Sequence, residues 1–237
     1  RAAARDVQAV LILDAEFPDP DEALVASLLS GPADVWHAGV ALGLDGQPAM
    51  WAHVDPVSMF SARVDPTIET TSWRLSLRAT LVRAAVIEQL GAPDPGFDTF
   101  TGAALDAGLR WIRAGALVRH VPQLAPQGAM PDVPPTVRDG LRLVTRHRGR
   151  TWGGWALQRG VLSGEVRVRE APSLGRDIAR SGAVYLPDYE PPGQVTNPEG
   201  LGRTVSVIVP TVDRYPYLIP LLGQLAAQTV APHEVVI

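Results

Sequence analysis

Short apolar runs alternate with polar, turn-forming segments over the first half of the chain. Residues 7–13 are a run of β-forming apolar residues, which predicts a buried strand of the kind found in parallel sheets. The segment Asp19-Pro20-Asp21-Glu22 predicts a helix with Asp19 as its N-cap, ended by Gly31. The same reasoning predicts strands at 35–42, 74–82 and 117–121, and helices at 83–90 and 103–114.

The middle of the chain has a different composition. Pro and Gly are frequent from about 122 to 135, which marks a boundary. Residues 136–182 are rich in Arg and Gly and contain Trp152 and Trp155, and the interpretation is a solvated connector or a peripheral helix with Trp anchors. Residues 188–202 are typical of an extended linker.

The last residues predict a compact unit of their own. From 204 to 237 the chain has an apolar strand, a turn, an amphipathic helix and a second apolar run, which together predict a β-α-β unit. The expected organisation is a domain at 1–125, a connector at 126–203 and a further domain at 204–237.

Composition excludes several kinds of chemistry. The net charge of −4 gives no electrostatic case for nucleic-acid binding. The chain has no cysteine, which excludes disulfides and thiolate sites, and all 21 of its Lys-plus-Arg residues are arginine, which excludes a P-loop or Schiff-base lysine. No apolar run approaches the roughly 20 residues of a membrane helix. A start at Arg1 rather than Met is expected of a piece of a longer protein.

Two carboxylates follow the first predicted strand. Asp14 and Glu16 are spaced as i and i+2, so in an extended chain both would face one side, where they could bind one cation. Oxygen ligands suit Mg²⁺ or Mn²⁺, which bind with help from substrate phosphates. The alternative is that Asp14 merely ends the strand and Glu16 is solvated.

Segments from both ends of the chain resemble parts of one known family. The tail has the strand Val205-Ser206-Val207-Ile208-Val209 followed by Pro210-Thr211, and Gln228-Thr229 precedes its last apolar run. The head has Asp14-Ala15-Glu16 after its first strand. Together these segments resemble family 2 glycosyltransferases, in which a Pro-Thr turn ends the first strand and an Asp-Ala-Asp motif lies in the middle of the domain.

The resemblance implies a fold and a layout. The expected fold is α/β, an incomplete Rossmann-like mixed sheet of the GT-A type. Because the middle of the family's domain comes before its beginning, we expect parts of two tandem domains. A circular permutant is an alternative, but it would need an acidic Asp-Asp-Gly-Ser segment that the chain does not contain.

The resemblance also implies a reaction. It is the inverting transfer of a sugar from a nucleotide-diphosphate donor to a glycan or lipid-linked acceptor, with Mg²⁺ or Mn²⁺. The expected location is the cytoplasm, at the inner face of the membrane if the parent protein associates with it peripherally.

Candidate site residues follow by matching motifs. Asp14 would bind the nucleotide sugar, as would Pro210, Thr211 and Asp213 in the tail, where Asp213 replaces the family's usual Asn. The implied metal ligands are Asp14, Glu16 and His120, with Glu16 in place of the family's second Asp.

The family's catalytic base is missing from its expected position. A Glu-Asp pair follows a Gly there, whereas this chain has Ala103-Ala104 after Gly102. A carboxylate is needed to take the proton from the acceptor hydroxyl. Asp106 or Asp98 is the candidate substitute, and the alternative for each is a structural role.

Two other functions remain open. A degenerate glycosyltransferase-like domain would bind or scaffold without turnover, in agreement with Ala103-Ala104. A carbohydrate-binding module would use tryptophans as stacking platforms, namely Trp36, Trp51, Trp73, Trp152 and Trp155.

Overall fold

The protein consists of two compact units, Arg1–Pro192 and Gly193–Ile237. The computed structural model describes residues 7–38, 67–126, 133–191, 204–211, 215–229 and 231–237. The strands described in the first unit are β1 (Ala9–Leu13), β2 (Val35–Ala38), β3 (Thr70–Thr71), β4 (Ala79–Arg83) and β5 (Val118–His120). Its described helices are α1 (Glu22–Ser30), α2 (Ala84–Leu90), α3 (Phe100–Arg113), α4 (Val137–Arg148), α5 (Arg150–Ser163) and α6 (Ala171–Arg180), with a 3₁₀ turn at Pro122–Leu124.

The five strands form one mixed sheet in the order β1-β4-β2-β5-β3. β2 and β5 are parallel, whereas β1 and β2 are both antiparallel to β4, which lies between them. β1, β2 and β5 therefore all run in one direction. The expected α/β class and mixed sheet are confirmed at this level.

The prediction that β1 is a buried strand of the parallel type is wrong. Its only described neighbour is β4, to which it pairs antiparallel, with Leu11 opposite Leu81. Val10 and Leu11 are exposed, because β1 is an edge strand of the described sheet. An apolar run specifies a strand, but its pairing direction depends on which distant segment it meets.

The first helix begins later than expected. Asp21, not Asp19, is the N-cap, and its carboxylate accepts a hydrogen bond from the backbone N–H of Ala23. The helix ends at Gly31 as predicted, where the cap N–H bonds to the Leu28 carbonyl.

Other element bounds also differ from the sequence-based ones. β4 begins only at Ala79, and α3 begins earlier, at Phe100, because the Thr99 hydroxyl caps it by accepting from Gly102 N–H. The predicted strand at 35–42 is described as far as Ala38, and the rest of it lies outside the described residues.

Helices cover both faces of the sheet. α1 packs on one face through a cluster of Trp36, Leu81 and its own leucines, among them Leu28. α2 and α3 pack on the other face, where Val82 and Trp111 belong to a second buried cluster. The core therefore has the helix–sheet–helix layering of an α/β protein.

Residues 137–180 form three helices, within the range 126–203 where the sequence predicts a solvated connector or a peripheral helix. Leu141 and Val144 of α4 share a buried cluster with Leu105 of α3, and α5 and α6 complete it. A capping box starts α4: the Thr136 hydroxyl accepts from Asp139 N–H, and the Asp139 carboxylate accepts from Thr136 N–H. The glycines of α5 weaken the sequence signal for a helix, because glycine has a low helix propensity. In the structure they allow close packing against α4.

The second unit is the β-α-β motif that the tail predicted. Its described elements are β6 (Ser206–Ile208), α7 (Tyr215–Ala226) and β7 (Glu234–Val236). β6 and β7 are parallel, with Val207 opposite Val235, so the predicted parallel pairing is confirmed.

Candidate functional site

The carboxyl ends of β1, β2 and β5 meet at one edge of the sheet, the position where open α/β sheets bind ligands. Asp14 directly follows β1, while His37 and His120 lie at or next to the ends of β2 and β5. Arg78 precedes β4, which starts at this edge because it runs the opposite way. Asp14 and Arg78 define the candidate site, and the buried His37 and His120 lie further along the same edge.

Asp14 is held in one orientation by protein donors. Arg78 donates from Nε to Asp14 Oδ2 at 2.8 Å, and Glu16 N–H donates to Oδ1 at 3.1 Å. Asp14 N–H in turn donates to the Arg78 carbonyl, and the Arg78 guanidinium lies over the Phe17 ring. The Glu16 N–H and then Arg78 lower the pKa of the Asp14 carboxyl, so it is ionised at neutral pH.

The geometry expected for Glu16 is wrong. β1 ends at Leu13, and Glu16 lies in the following turn, where its side chain is exposed. The i, i+2 alternation of a strand does not apply in a turn, so Asp14 and Glu16 do not form the expected two-carboxylate face.

His120 is not brought to Asp14. β4 and β2 separate β1 from β5, and three strand spacings put the two residues roughly 14 Å apart. His120 is buried, with Nδ1 3.0 Å from the Ile68 carbonyl oxygen. Within the described ranges, no three His, Asp or Glu side chains are grouped as a metal site. Asp14 can still supply one carboxylate to a cation whose remaining ligands come from phosphates.

His37 is a buried neighbour of His120 that the sequence patterns did not indicate as a site residue. Its ring lies 5.5 Å from that of His120, and among the described residues neither of its nitrogens has a hydrogen-bond partner. Burial and the nearby His120 lower the pKa of His37 to about 3. The Ser72 backbone opposes that shift, although it lies outside hydrogen-bonding geometry with either ring nitrogen. His37 is therefore a neutral ring at neutral pH.

Asp106 occupies the centre of a buried ionic network. Its Oδ1 lies 3.1 Å from both Arg146 Nε and His147 Nε2, and its Oδ2 lies 3.4 Å from Arg110 Nε. Arg110 also donates to the carbonyls of Leu90 and Ala92. The Asp106 side chain has no exposed surface, so an acceptor hydroxyl cannot reach it. This geometry gives Asp106 a structural role, tying α3 to α4.

Asp98 is the more accessible of the two candidate bases. It is exposed just before α3, and its backbone N–H donates to Asp139 Oδ1 at 2.7 Å. Ala103 and Ala104, in place of the family's acidic pair, are both buried.

Asp139 fixes the start of α3 against the start of α4. Its Oδ2 accepts from the Thr99 hydroxyl at 2.6 Å in addition to its own capping-box bond. A Cβ on Gly102 would lie 2.6 Å from the Asp139 carboxyl carbon, so only glycine permits this approach. The Thr136-x-x-Asp139 spacing was the sequence signal for this residue.

A polar cleft of about 340 Å³ opens beside this junction. Its charged lining comprises Asp98, Asp139, Asp177, Arg138, Arg142, Arg146 and Arg180. Arg138, Arg142 and Arg146 recur every four residues and therefore share one face of α4, a signal visible in the sequence. Arg138 pairs with Asp177 inside the cleft, whereas Arg142 and Arg146 both pair with Asp94 outside the lining.

The remaining candidates divide between the units. Pro210 and Thr211 lie one residue beyond β6 in the second unit, after Val209, whereas Asp213 lies outside the described residues. Among the tryptophans, Trp36 is buried and Trp73 packs against the core of α3 and α4, so neither is a stacking platform. Trp51 lies outside the described residues, and Trp152 and Trp155 are exposed on α5.

Comparisons of the chain with protein-family models, with curated proteins and with solved structures found no match. Across the described parts of the chain, the helices are all too short or too polar to cross a bilayer.

Proposed function

We propose that this protein belongs to a glycosyltransferase of the GT-A type, which transfers a sugar with inversion from a nucleotide-diphosphate donor to a glycan or lipid-linked acceptor. The observation that carries the proposal is Asp14, fixed and ionised at the carboxyl end of β1, at the edge where three co-directional strands end. The β-α-β unit with Pro210-Thr211 after its first strand supports it. The proposed location is the cytoplasm, at the inner membrane face when the acceptor is lipid-linked.

In the proposed site, Asp14 and Arg78 act together on the donor. Arg78 holds the carboxylate in place, and its guanidinium brings positive charge to the edge where the diphosphate would bind. Mg²⁺ or Mn²⁺, bound by Asp14 and the phosphates, would supply charge stabilisation of the leaving diphosphate.

For the transfer reaction, our candidate for the proton acceptor is Asp98, the exposed carboxylate nearest in sequence to Ala103-Ala104, where the family has its acidic pair. The second candidate function is donor binding without turnover. The buried Ala103-Ala104 pair and the enclosed Asp106 favour it.

Donor binding tests the proposal directly. Titration calorimetry with UDP- and GDP-linked sugars, with and without Mn²⁺, should show binding that Asp14→Ala weakens at least about ten-fold, or about 1.4 kcal/mol. Asp19→Ala is the matched control, since Asp19 is an exposed carboxylate of the same connection and should leave binding unchanged. Absence of nucleotide binding under both conditions, or equal loss in both variants, would contradict the proposal.

A further inference from the structure

The helix α5 exposes large apolar residues that an ordinary surface helix would bury. Its fully buried residues are small, namely Gly153, Ala156 and Gly160, with Leu157 and Val161 packed partly buried beside them. Two tryptophans and a leucine face outward: Trp152 is 49% exposed, Trp155 40% and Leu162 73%. A surface helix normally buries its large apolar residues and exposes its polar ones.

The inward packing is tight enough to fix this orientation. A Cβ on Gly153 would lie 2.1 Å from Thr145 Oγ1 of α4, so no larger side chain fits there. α5 therefore cannot rotate to bury its tryptophans without moving α4. The outward apolar face is built into the packing of the unit.

The outward residues form one continuous stripe. Positions 152, 155, 159 and 162 are spaced as i, i+3, i+7 and i+10, which places them on one face of the helix. The Trp152 and Trp155 rings are in edge-to-face contact at 5.6 Å, and Arg159 lies over the Trp155 ring. We call Trp152, Trp155, Arg159 and Leu162 the outer stripe.

The charge of α5 has a single sign. The helix carries Arg150 and Arg159, both exposed, and no acidic residue, although the chain as a whole has a net charge of −4. The outward face of α5 thus combines positive charge with exposed indole rings, although the protein as a whole is acidic. Such a face is complementary to a surface that has anionic groups at its outside and an apolar layer directly beneath them.

We propose that the outer stripe of α5 binds the surface of a bilayer that contains anionic lipids. Indole rings are favoured at the boundary between headgroups and acyl chains, where their N–H stays hydrated while the ring is buried. Arginine adds attraction to anionic headgroups. α5 is about 21 Å long and lies along the membrane plane in this mode, with its small-residue face kept on the protein. The inference is independent of the glycosyltransferase proposal.

Vesicle co-flotation of the whole chain tests the inference. We expect binding to vesicles of phosphatidylcholine mixed with phosphatidylglycerol, and much weaker binding to phosphatidylcholine alone. Arg159→Gln should reduce binding to the mixed vesicles about five-fold, as expected for a charge worth about 1 kcal/mol near the surface. Raising the salt concentration should weaken binding in the same direction.

The tryptophans distinguish this contact from a general electrostatic one. The double variant Trp152→Ser, Trp155→Ser should lose at least about ten-fold in binding, because both indoles leave the interface. Tyr185→Ser is the matched control, an exposed aromatic outside α5, and it should bind like the parent. Arg119→Gln on β5 is the control for charge. Thermal unfolding of every variant checks that the fold is retained.

Three results would overturn the inference. The first is no binding to either vesicle, and the second is binding that survives the double tryptophan substitution. The third is equal binding to both lipid compositions, which would leave no role for the arginines. If vesicles do not bind but oligosaccharides do, and the double variant abolishes that, the stripe is a carbohydrate platform.

Discussion

At the scale of single residues, burial decides what the charged groups of this protein can do. Asp106 and Asp14 are both carboxylates paired with arginine, yet Asp106 is enclosed by Arg110, Arg146 and His147, while Asp14 lies at an accessible sheet edge. An enclosed carboxylate contributes to stability and an accessible one can contact a ligand. The two residues thus have different roles despite similar partners.

Replacement of Asp106 should destabilise the protein strongly. Asp106→Asn leaves the buried Arg110 without its carboxylate partner and Arg146 with Asp94 alone, and we expect the free energy of unfolding to fall by about 3–5 kcal/mol. Glu69→Gln removes a carboxylate from the exposed pair with Arg119 and should change it by less than about 1 kcal/mol. Urea unfolding measures both. Equal, small effects would show that the Asp106 network is not structural.

Because of His37, the free energy of unfolding should depend on pH between about 7 and 5, which is above the range in which carboxylates titrate. Because its folded pKa of about 3 lies below the unfolded value, the unfolded chain binds more protons as pH falls. Stability is therefore fully present above about pH 6.5 and decreases by about 2 kcal/mol towards pH 5.

A variant that cannot titrate isolates this effect. His37→Phe should flatten the decrease between pH 7 and 5 in urea unfolding, whereas His233→Phe, at an exposed position, should retain it. A pH dependence identical in the parent and His37→Phe would assign the effect to another group.

At the scale of elements, small residues determine how helices meet. Gly102 permits α3 to approach Asp139, and Gly153 permits α5 to approach Thr145. Gly108 of α3 lies against the backbone of Trp73, where a Cβ would be 2.1 Å from the carbonyl oxygen. Glycine at these positions therefore allows neighbouring backbones and side chains to approach closely, and the glycine-rich helix α5 packs on α4 in this way.

Adjacent glycines of α5 should respond oppositely to alanine. Gly153→Ala forces the new methyl group against Thr145 and should destabilise the protein by about 1–3 kcal/mol. Gly154→Ala meets nothing within 4 Å and should stabilise it by about 0.5–1 kcal/mol, because alanine restricts the unfolded chain. Thermal unfolding compares the two, and stabilisation by both would show that α5 does not pack on α4 as described.

At the scale of the whole molecule, the proposed chemistry depends on residues that are far apart in the sequence. Asp14 and Arg78 are 64 positions apart, and the base candidate Asp98 belongs to the loop before α3. Ala103 and Ala104, where the proposed family has its acidic pair, are buried. Donor binding and sugar transfer are therefore separable properties.

Of the two candidate functions, we expect donor binding without sugar transfer above background for the chain by itself. Ala103 and Ala104 stand where the proposed family has its base, and unless Asp98 replaces that base the rate falls by on the order of 10²–10⁴. Product formation from a radiolabelled donor, with Mg²⁺ or Mn²⁺, measures this. Transfer that is abolished by Asp98→Asn would contradict the expectation and identify Asp98 as the base, with Asp98→Glu as the conservative comparison.

The sequence by itself determined those features that local pattern encodes. The β-forming run before Asp14 predicted a strand that ends at the candidate site, and the tail predicted its β-α-β unit and parallel pairing. Gly31 and Gly91 correctly marked helix ends. Such signals lie within a few residues of one another, so they can be recognised without knowing what the segment packs against.

Only the tertiary structure decided pairing, burial and the use of each charge. The antiparallel contact of β1 with β4 and the enclosure of Asp106 by α4 join residues tens of positions apart. The arginines and glycines between 137 and 180 are typical of a connector when the sequence is considered alone. In the structure this segment forms three helices, because α3 provides an apolar surface on which they pack. Burial is a property of the assembled core, which no single segment of sequence contains.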